Sequence, residues 1–416
     1  MRILWFTNTP SLASDYLRGN EVGGGWISSL EEAVLKYTTL KLAVSFFTDT
    51  YVGSFRLDNV HYYPVCNVSK QKLGRRVDRL FNTIYLERDL QSLIKVVKQF
   101  NPDVIHIHGT EQHYGLIQKY IKDIPVIISV QGNLTVYSEK YFSGISKKVF
   151  IRHISLYNFL TQQNPVFQYY RMKKRAKNEQ EILKITKNIA GRTNWDRSIA
   201  RIFSPGGSYH VVNEIMRPAF YKKAWGKKRG GKLILMTTTS SPAYKGFEVI
   251  LKTAIILKQL GLPFEWRVAG LSPHTKNVKI AEKWLKVKSD KISINFLGTL
   301  DSDKLINNLL QSDIYIQVSH IENSPNSVCE AMLLGMPVIA SAVGGTASLI
   351  EDGENGMLYQ DGECYSLAGT IVKLHEDNNL CQSIAKSAYE ASHKRHDPQK
   401  VVKELTDAYT VLAKQY

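Results

Sequence analysis

Ile314-Tyr315-Ile316-Gln317-Val318-Ser319-His320-Ile321-Glu322-Asn323-Ser324-Pro325-Asn326-Ser327-Val328-Cys329-Glu330-Ala331-Met332-Leu333-Leu334-Gly335-Met336-Pro337-Val338-Ile339-Ala340 holds one complete structural step. Ile314 to Val318 is an apolar run of strand length. Ser324 is a favourable N-cap and Pro325 a favourable first helical residue. The helix is predicted to run to Leu334 and stop at Gly335, and Pro337 opens a second strand at Val338. Strand, polar loop, helix and strand make a βαβ unit of a parallel sheet, in which ligands bind at the carboxyl ends of the strands.

Two carboxylates are placed by this layout. Glu322 falls in the loop, and Glu330 lies within the first turns of the helix, where the macrodipole favours a negative charge. Between them, Asn323, Ser324, Asn326 and Ser327, on either side of Pro325, bring backbone N–H groups to a helix N-terminus, a site suited to an anion or to hydroxyls. A carboxylate is well satisfied by vicinal hydroxyls, since two O–H donors occupy both of its oxygens. A ligand with hydroxyls at each end and negative charge in the middle fits, and a nucleotide sugar is such a ligand.

Glu-x7-Glu (322 and 330), followed by Ala331-Met332 and by Gly335-Met336-Pro337-Val338, resembles the signature of the retaining glycosyltransferase family 4, glycosyl transferases group 1. The resemblance implies a GT-B fold, an α/β architecture of two Rossmann-like domains facing across a cleft. It also implies that Glu322 faces the transferred sugar and that Glu330 holds the ribose hydroxyls. The expected division is an acceptor-binding domain over 1–222, a nucleotide-sugar-binding domain over 223–397, and a terminal helix over 398–416 returning to the first domain.

The totals agree with two domains. The chain has 416 residues, 44% hydrophobic and 22% charged, enough for two sizeable cores. Four scattered cysteines with no Cys-x-x-Cys suggest neither a disulfide framework nor a metal knuckle, and fit a reducing cytoplasm. Met1 to Phe6 is an apolar run too short for a signal peptide, and no stretch approaches the roughly 18 apolar residues of a membrane span. The net charge of +17 is uneven: residues 1–222 carry 31 Lys and Arg against 17 Asp and Glu. Such a basic half suits acidic substrates or an anionic membrane face. Two stretches could form that face. Lys70 to Phe81 places Leu73, Val77, Leu80 and Phe81 on one side of a basic helix, and Phe167 to Lys177 is basic and aromatic. An RNA-binding module is not recognisable, so nucleic acid is not expected as a partner.

Other candidates follow in chain order. Gly23-Gly24-Gly25 before Trp26 is a glycine turn between strand and helix, which lets backbone approach a ligand; it matches neither the dinucleotide nor the P-loop pattern. By resemblance, Gly24 and Gly25 line the donor side and Trp26 the acceptor side. Asp103 to Gly109 is a strand with a polar exit, offering His108 and Gly109 to an acceptor, with Asn133 beyond the next strand. Where family members often carry a histidine near the transferred sugar, this chain has Gln131, which can donate and accept but cannot titrate. Lys245-Gly246 resembles the family's phosphate-binding pair, yet the arginine expected five residues earlier is Ser240. Gly298-Thr299 corresponds to the turn beside the base, and Gly345-Thr346 offers further amides to the diphosphate. Asp301-Ser302-Asp303 has the look of a metal motif but precedes a helix, where capping is its expected role; no metal and no cofactor is expected, the nucleotide sugar being a co-substrate.

The resemblance implies transfer of a hexosyl-type sugar to a glycan or lipid-linked acceptor with retention, in cell-surface polysaccharide or glycolipid synthesis, by a cytoplasmic protein that the basic half could hold at the inner face of the membrane. Glu322, Lys245 and Gln131 are the expected catalytic groups. A nucleotide-sugar epimerase or hydrolase of the same fold, or a donor-binding partner subunit without turnover, are the alternatives. The base, sugar, acceptor, linkage and oligomeric state are not encoded in any motif read here.

Overall fold

The structure, a computed structural model, describes residues 1–18, 25–68, 85–153, 164–227 and 230–414. Gly24 and the basic stretch Lys70–Phe81 lie outside these residues. Two sheets account for the strands. The first contains β1 (Arg2–Thr7), β2 (Lys41–Thr48), β3 (Phe55–Leu57), β4 (Val60–Cys66), β5 (Val104–His108), β6 (Val126–Ser129), β7 (Asn188–Gly191) and β8 (Ser208–Val211), in the order β3-β4-β2-β1-β5-β6-β7-β8. All neighbours are parallel except the β3–β4 pair. The second contains β9 (Leu233–Thr238), β10 (Phe264–Ala269), β11 (Ile294–Gly298), β12 (Ile314–Gln317), β13 (Val338–Ser341) and β14 (Met357–Tyr359), all parallel, in the order β11-β10-β9-β12-β13-β14.

The central strands are buried throughout because helices cover both faces, and they are mostly apolar: every residue of β5, β6, β12 and β13 is buried. Strand order reverses between β1 and β5 in the first sheet and between β9 and β12 in the second. Chains leaving such neighbours go to opposite faces and open a crevice at their carboxyl ends. The loops following β9 and β12 carry Lys245 and Glu322, so the switch point of the second sheet sets the position of the site.

The helix Pro398–Ala413 lies against the first sheet. Its apolar face, Val401, Val402, Leu405, Ala408, Tyr409 and Leu412, is buried in one cluster with Trp5, Leu30 and Val44. Tyr409 fixes the contact, accepting from Trp5 Nε1 at 2.9 Å and lying 2.6 Å from His106 Nδ1. In the opposite sense, Tyr141, Ile145 and Phe150 leave the first sheet's region and pack among Phe247, Ile250 and Trp266 of the second. The two halves are thus joined by reciprocal apolar contacts as well as by the connecting chain.

Under that second contact lies a buried charge relay. His320 is 3% exposed, with Nδ1 2.6 Å from Asp361 and Nε2 2.6 Å from Glu248. Burial opposes its charge, but the two carboxylates outweigh burial and raise its pKa to about 9. A raised pKa confers stability that is complete below the unfolded value of about 6.5 and is lost as pH rises through about 9. The unfolding midpoint is therefore expected to fall between about pH 6.5 and 9, the interval from the unfolded to the folded pKa. His320→Gln should flatten that decline, measured by thermal unfolding across the same range.

Candidate active site

The loop Val318–Pro325 leaves β12 and enters the helix Asn326–Leu333, whose N-cap is Pro325. The expected cap, Ser324, is displaced by one residue. Its hydroxyl instead donates to the ionised Glu214 carboxylate, a charge-assisted bond that turns it away from the helix amides. The first amides of this helix have no intrahelical acceptor. Asn326 and Ser327 line a cleft of about 380 Å³ whose walls come from both halves: Trp26, Gln131 and Arg192 on one side, Thr237–Ser240, Lys245 and Glu322 on the other.

Lys245 and Glu322 meet inside this cleft at 2.5 Å, with side chains 23% and 10% exposed. Burial pushes the lysine pKa down, but the Glu322 carboxylate outweighs it and raises it, so the ammonium stays charged. Gly246, at φ 73°, places Lys245: its α-carbon sits against the Val318 carbonyl, bringing the β9 and β12 loops together. The backbone bond from His320 N to Tyr244 O, 2.8 Å, ties the same two loops.

Glu330 does not line this cleft. Its two oxygens are clasped by Arg217, Nε to Oε1 at 2.7 Å and Nη2 to Oε2 at 2.9 Å, and Arg217 Nη1 reaches Ser302 at 2.9 Å. Burial raises the Glu330 pKa, with Arg217 opposing. Arg217 comes from the segment between the two sheets, more than a hundred residues from Glu330, and no local pattern announces the pair. Each carboxylate oxygen retains a second lone pair, so ribose hydroxyls can still be accepted beside the guanidinium. Glu330→Gln keeps the shape but weakens both acceptors and the Arg217 pair. It is expected to reduce nucleotide affinity ~10-fold or more, measured by calorimetry; unchanged affinity removes the ribose role.

Three expected ligand groups hold the protein together instead. Asn323 is fully buried, accepts from Thr193 Oγ1 at 2.6 Å and donates to Asp196 at 3.0 Å and to the Gln131 carbonyl at 3.3 Å. It bridges the halves and is not presented to a donor. His108 is fully buried, stacked on His106 at 3.8 Å and edge-on to Trp5 and Trp26, so it cannot meet an acceptor. Its surroundings push its pKa well below the usual range through burial first, then His106 and Arg192. Asn133 is likewise buried and caps the helix Leu134–Lys140, accepting from Val136 N at 2.9 Å.

The glycine positions divide similarly. The Gly345 amide bonds the Glu322 carbonyl at 3.0 Å and the Thr346 amide bonds Val343 O at 3.0 Å, so neither is offered to a diphosphate. Their contribution is to clamp the Glu322 loop. Gly298, at φ 65°, ends β11 and Thr299 follows it; neither lines the cleft. Gly25 is the N-cap of the helix Trp26–Tyr37 and presents Trp26 to the cleft. Gly109 donates to Ser129 O at 2.9 Å and turns at φ 99°, letting the Glu111 carboxylate fold back over it. Asp301 caps the helix Ser302–Leu310 by accepting from Lys304 N at 2.8 Å.

Among the described residues, Glu214, Cys329 and His396 form a set of metal-ligand types, with atoms within 4.8 Å of one another. They do not suit a cation. Burial raises the Glu214 carboxyl, but Arg192, His396 and Arg395 outweigh it and hold it at about 2, and Arg192 lies 3.3 Å away. Burial also pushes the Cys329 thiol well above its usual range.

This geometry has counterparts. Residues 219–391 match the family of glycosyl transferases group 1. The match covers the second sheet, the Lys245 loop and both glutamates. A glycosyltransferase of Methanocaldococcus jannaschii, MJ1069, is 30% identical over 164 residues, 39% of this chain and 41% of that protein. WcaL of Salmonella typhimurium, described as a putative colanic acid biosynthesis glycosyltransferase, is 22% identical over 186 residues, 43% and 45% of the two chains. The alignments thus span less than half the length of these relatives. Among solved structures, a sucrose-phosphate synthase from Thermosynechococcus elongatus superposes over 100% of both chains with a TM-score of 0.75 at 15% identity. HepE of Anabaena, in complex with UDP and glucose, superposes over 99% of both with 0.66 at 16%. The fold is GT-B.

Proposed function

We propose that this protein is a glycosyltransferase that moves a sugar from a nucleoside-diphosphate donor to an acceptor hydroxyl, with retention, in the synthesis of a surface polysaccharide or glycolipid. The observation that carries the reading is the Lys245–Glu322 pair inside a cleft walled by both halves, beside the open N-terminus of the helix Asn326–Leu333. The diphosphate lies against Lys245 and the first amides of that helix, where charge grows on the leaving group. Glu322 faces the transferred sugar, and Gln131, across the cleft, bonds its hydroxyls. Glu330, steadied by Arg217, takes the ribose. The acceptor enters along the first half beside Trp26, where Tyr137 and, from the second half, Tyr244 stand 5.5 Å apart and offer apolar faces to a sugar.

Relatives support the substrate class by name: WcaL is associated with colanic acid and AmsK of Erwinia amylovora with amylovoran biosynthesis. HepE is described in complex with UDP-glucose, which makes uridine donors the first to try. No helix among the described residues is long and apolar enough to cross a membrane. The helix Pro165–Ile185 instead exposes Tyr170, with Lys147 2.9 Å from its hydroxyl and Lys173 over Tyr169, a basic and aromatic face suited to anionic lipid.

The test is a screen of UDP- and GDP-sugars by thermal unfolding, followed by product analysis with the stabilising donor. A ligand at a hundred times its Kd stabilises by about 2.7 kcal/mol, a readable shift. A true donor raises the midpoint and yields a glycosylated product; no shift with any nucleotide sugar overturns the reading.

A further inference from the structure

We propose that Arg192, carried by the first half, binds the donor diphosphate and replaces the arginine missing at position 240. This rests on the donor reading above. Lys245 alone is poorly matched to a diphosphate, because its charge is already balanced by Glu322 at 2.5 Å. Bringing two or more negative charges into a part-buried cleft requires a further cation, since an unpaired buried charge is very costly. Ser240 lines the cleft and supplies none.

Arg192 lines the same cleft opposite Ser240 and Lys245. Its side chain is 5% exposed, so its charge is little screened, and it stands where β7 ends, at the carboxyl edge of the first sheet. The guanidinium is held rather than loose: it packs 4.7 Å over the Trp26 ring and Nη1 bonds Glu214 at 3.3 Å. The capping box of Thr193 and Asp196 fixes the backbone just beyond it. One of its donors, Nε, is buried without a partner. Glu214 does not cancel the local charge. It faces both Arg192 and Arg395, whose guanidinium donates to the Arg192 carbonyl at 2.6 Å, so its single negative charge is shared between two guanidinium groups. A guanidinium also offers a planar fork to phosphate oxygens, which the lysine does not. A first-half cation on a donor seated in the second half further ties donor binding to approach of the two halves.

The test compares UDP with UMP, by calorimetry, on the full chain. In Arg192→Gln, affinity for UDP should fall ~10-fold or more while that for UMP changes much less. Ser240→Arg added to that variant restores a cation from the opposite wall and should recover the UDP preference. A proportional loss for both nucleotides, not rescued by Ser240→Arg, means that Arg192 only braces the halves and overturns the proposal. So does an unchanged UDP affinity. If neither UDP nor GDP binds the unsubstituted protein, the donor reading fails, and this assignment with it.

Discussion

Gly246→Ala is expected to be among the most damaging single-atom additions in the chain. Gly246 adopts φ 73°, where a side chain strains the backbone by roughly 1–2 kcal/mol. That much applies equally to Gly261, also at φ 73°, around which a β-carbon would meet nothing within 4 Å. At Gly246 the new methyl runs into the Val318 carbonyl oxygen, with the carbonyl carbon 2.9 Å away, and both are backbone that cannot rotate aside. Parting the loops adds an overpacking cost, for a total of about 2–5 kcal/mol. Lys245 is the adjacent residue, so the displacement moves the ammonium away from Glu322 and the donor, and a shift near 1 Å lowers turnover ~100-fold. Gly261→Ala should cost about 1–2 kcal/mol with turnover unchanged. Thermal unfolding and turnover of the two variants side by side separate strain from crowding; equal losses would show that the approach of the β9 and β12 loops is not needed.

What could be read beforehand was local. The strand–loop–helix–strand step around Glu322, the Lys245 loop and the caps at Asp301 all depend on residues within a few positions of one another, and periodicity and turn chemistry report such features directly. His108 shows where this ends. Asp103–Gly109 reads as a strand with a polar exit, but which side of β5 meets solvent is decided by the helix Pro398–Ala413 crossing over from the far end of the chain. A histidine under that helix is interior and cannot greet a ligand.

The site was similarly half visible. Both glutamates could be found by spacing, whereas their cationic partners come from elsewhere in different degrees. Lys245 stands in a recognisable Lys-Gly turn. Arg217 sits in a connecting segment, and Arg192 in Gly191-Arg192-Thr193-Asn194-Trp195-Asp196, where the Thr-x-x-Asp cap was the readable element and the arginine before it was not. Asn323 differs from its sequence expectation for the same reason: it belongs to the loop that also holds Glu322, yet its partners Thr193 and Asp196 lie in the other half. Polar residues at the seam between two domains resemble ligand-binding residues in a sequence, because both serve surfaces that must be filled by something else.

Glu322→Ala is the substitution expected to lower transfer most. The carboxylate has two tasks in the proposed mechanism, holding Lys245 toward the diphosphate and facing the transferred sugar, and its loss removes both. Turnover should drop ~100–1,000-fold, the range for removing one preorganised electrostatic group. Stability should also suffer, because a mostly buried ammonium is left without its partner, at roughly 1–3 kcal/mol. Lys245→Ala leaves the converse orphan and should lower catalytic efficiency ~10–150-fold. Removing both leaves neither charge exposed to the low-dielectric cleft, so the double variant should unfold with a smaller loss than the two singles combined, by roughly 0.5–3 kcal/mol. Turnover does not recover with it, since the phosphate contact is gone. The two readouts therefore move apart: stability is regained in the double variant and transfer is not. If Glu322→Ala loses stability but keeps transfer, the carboxylate is only an anchor for Lys245, and the assignment of Glu322 to the transferred sugar is wrong.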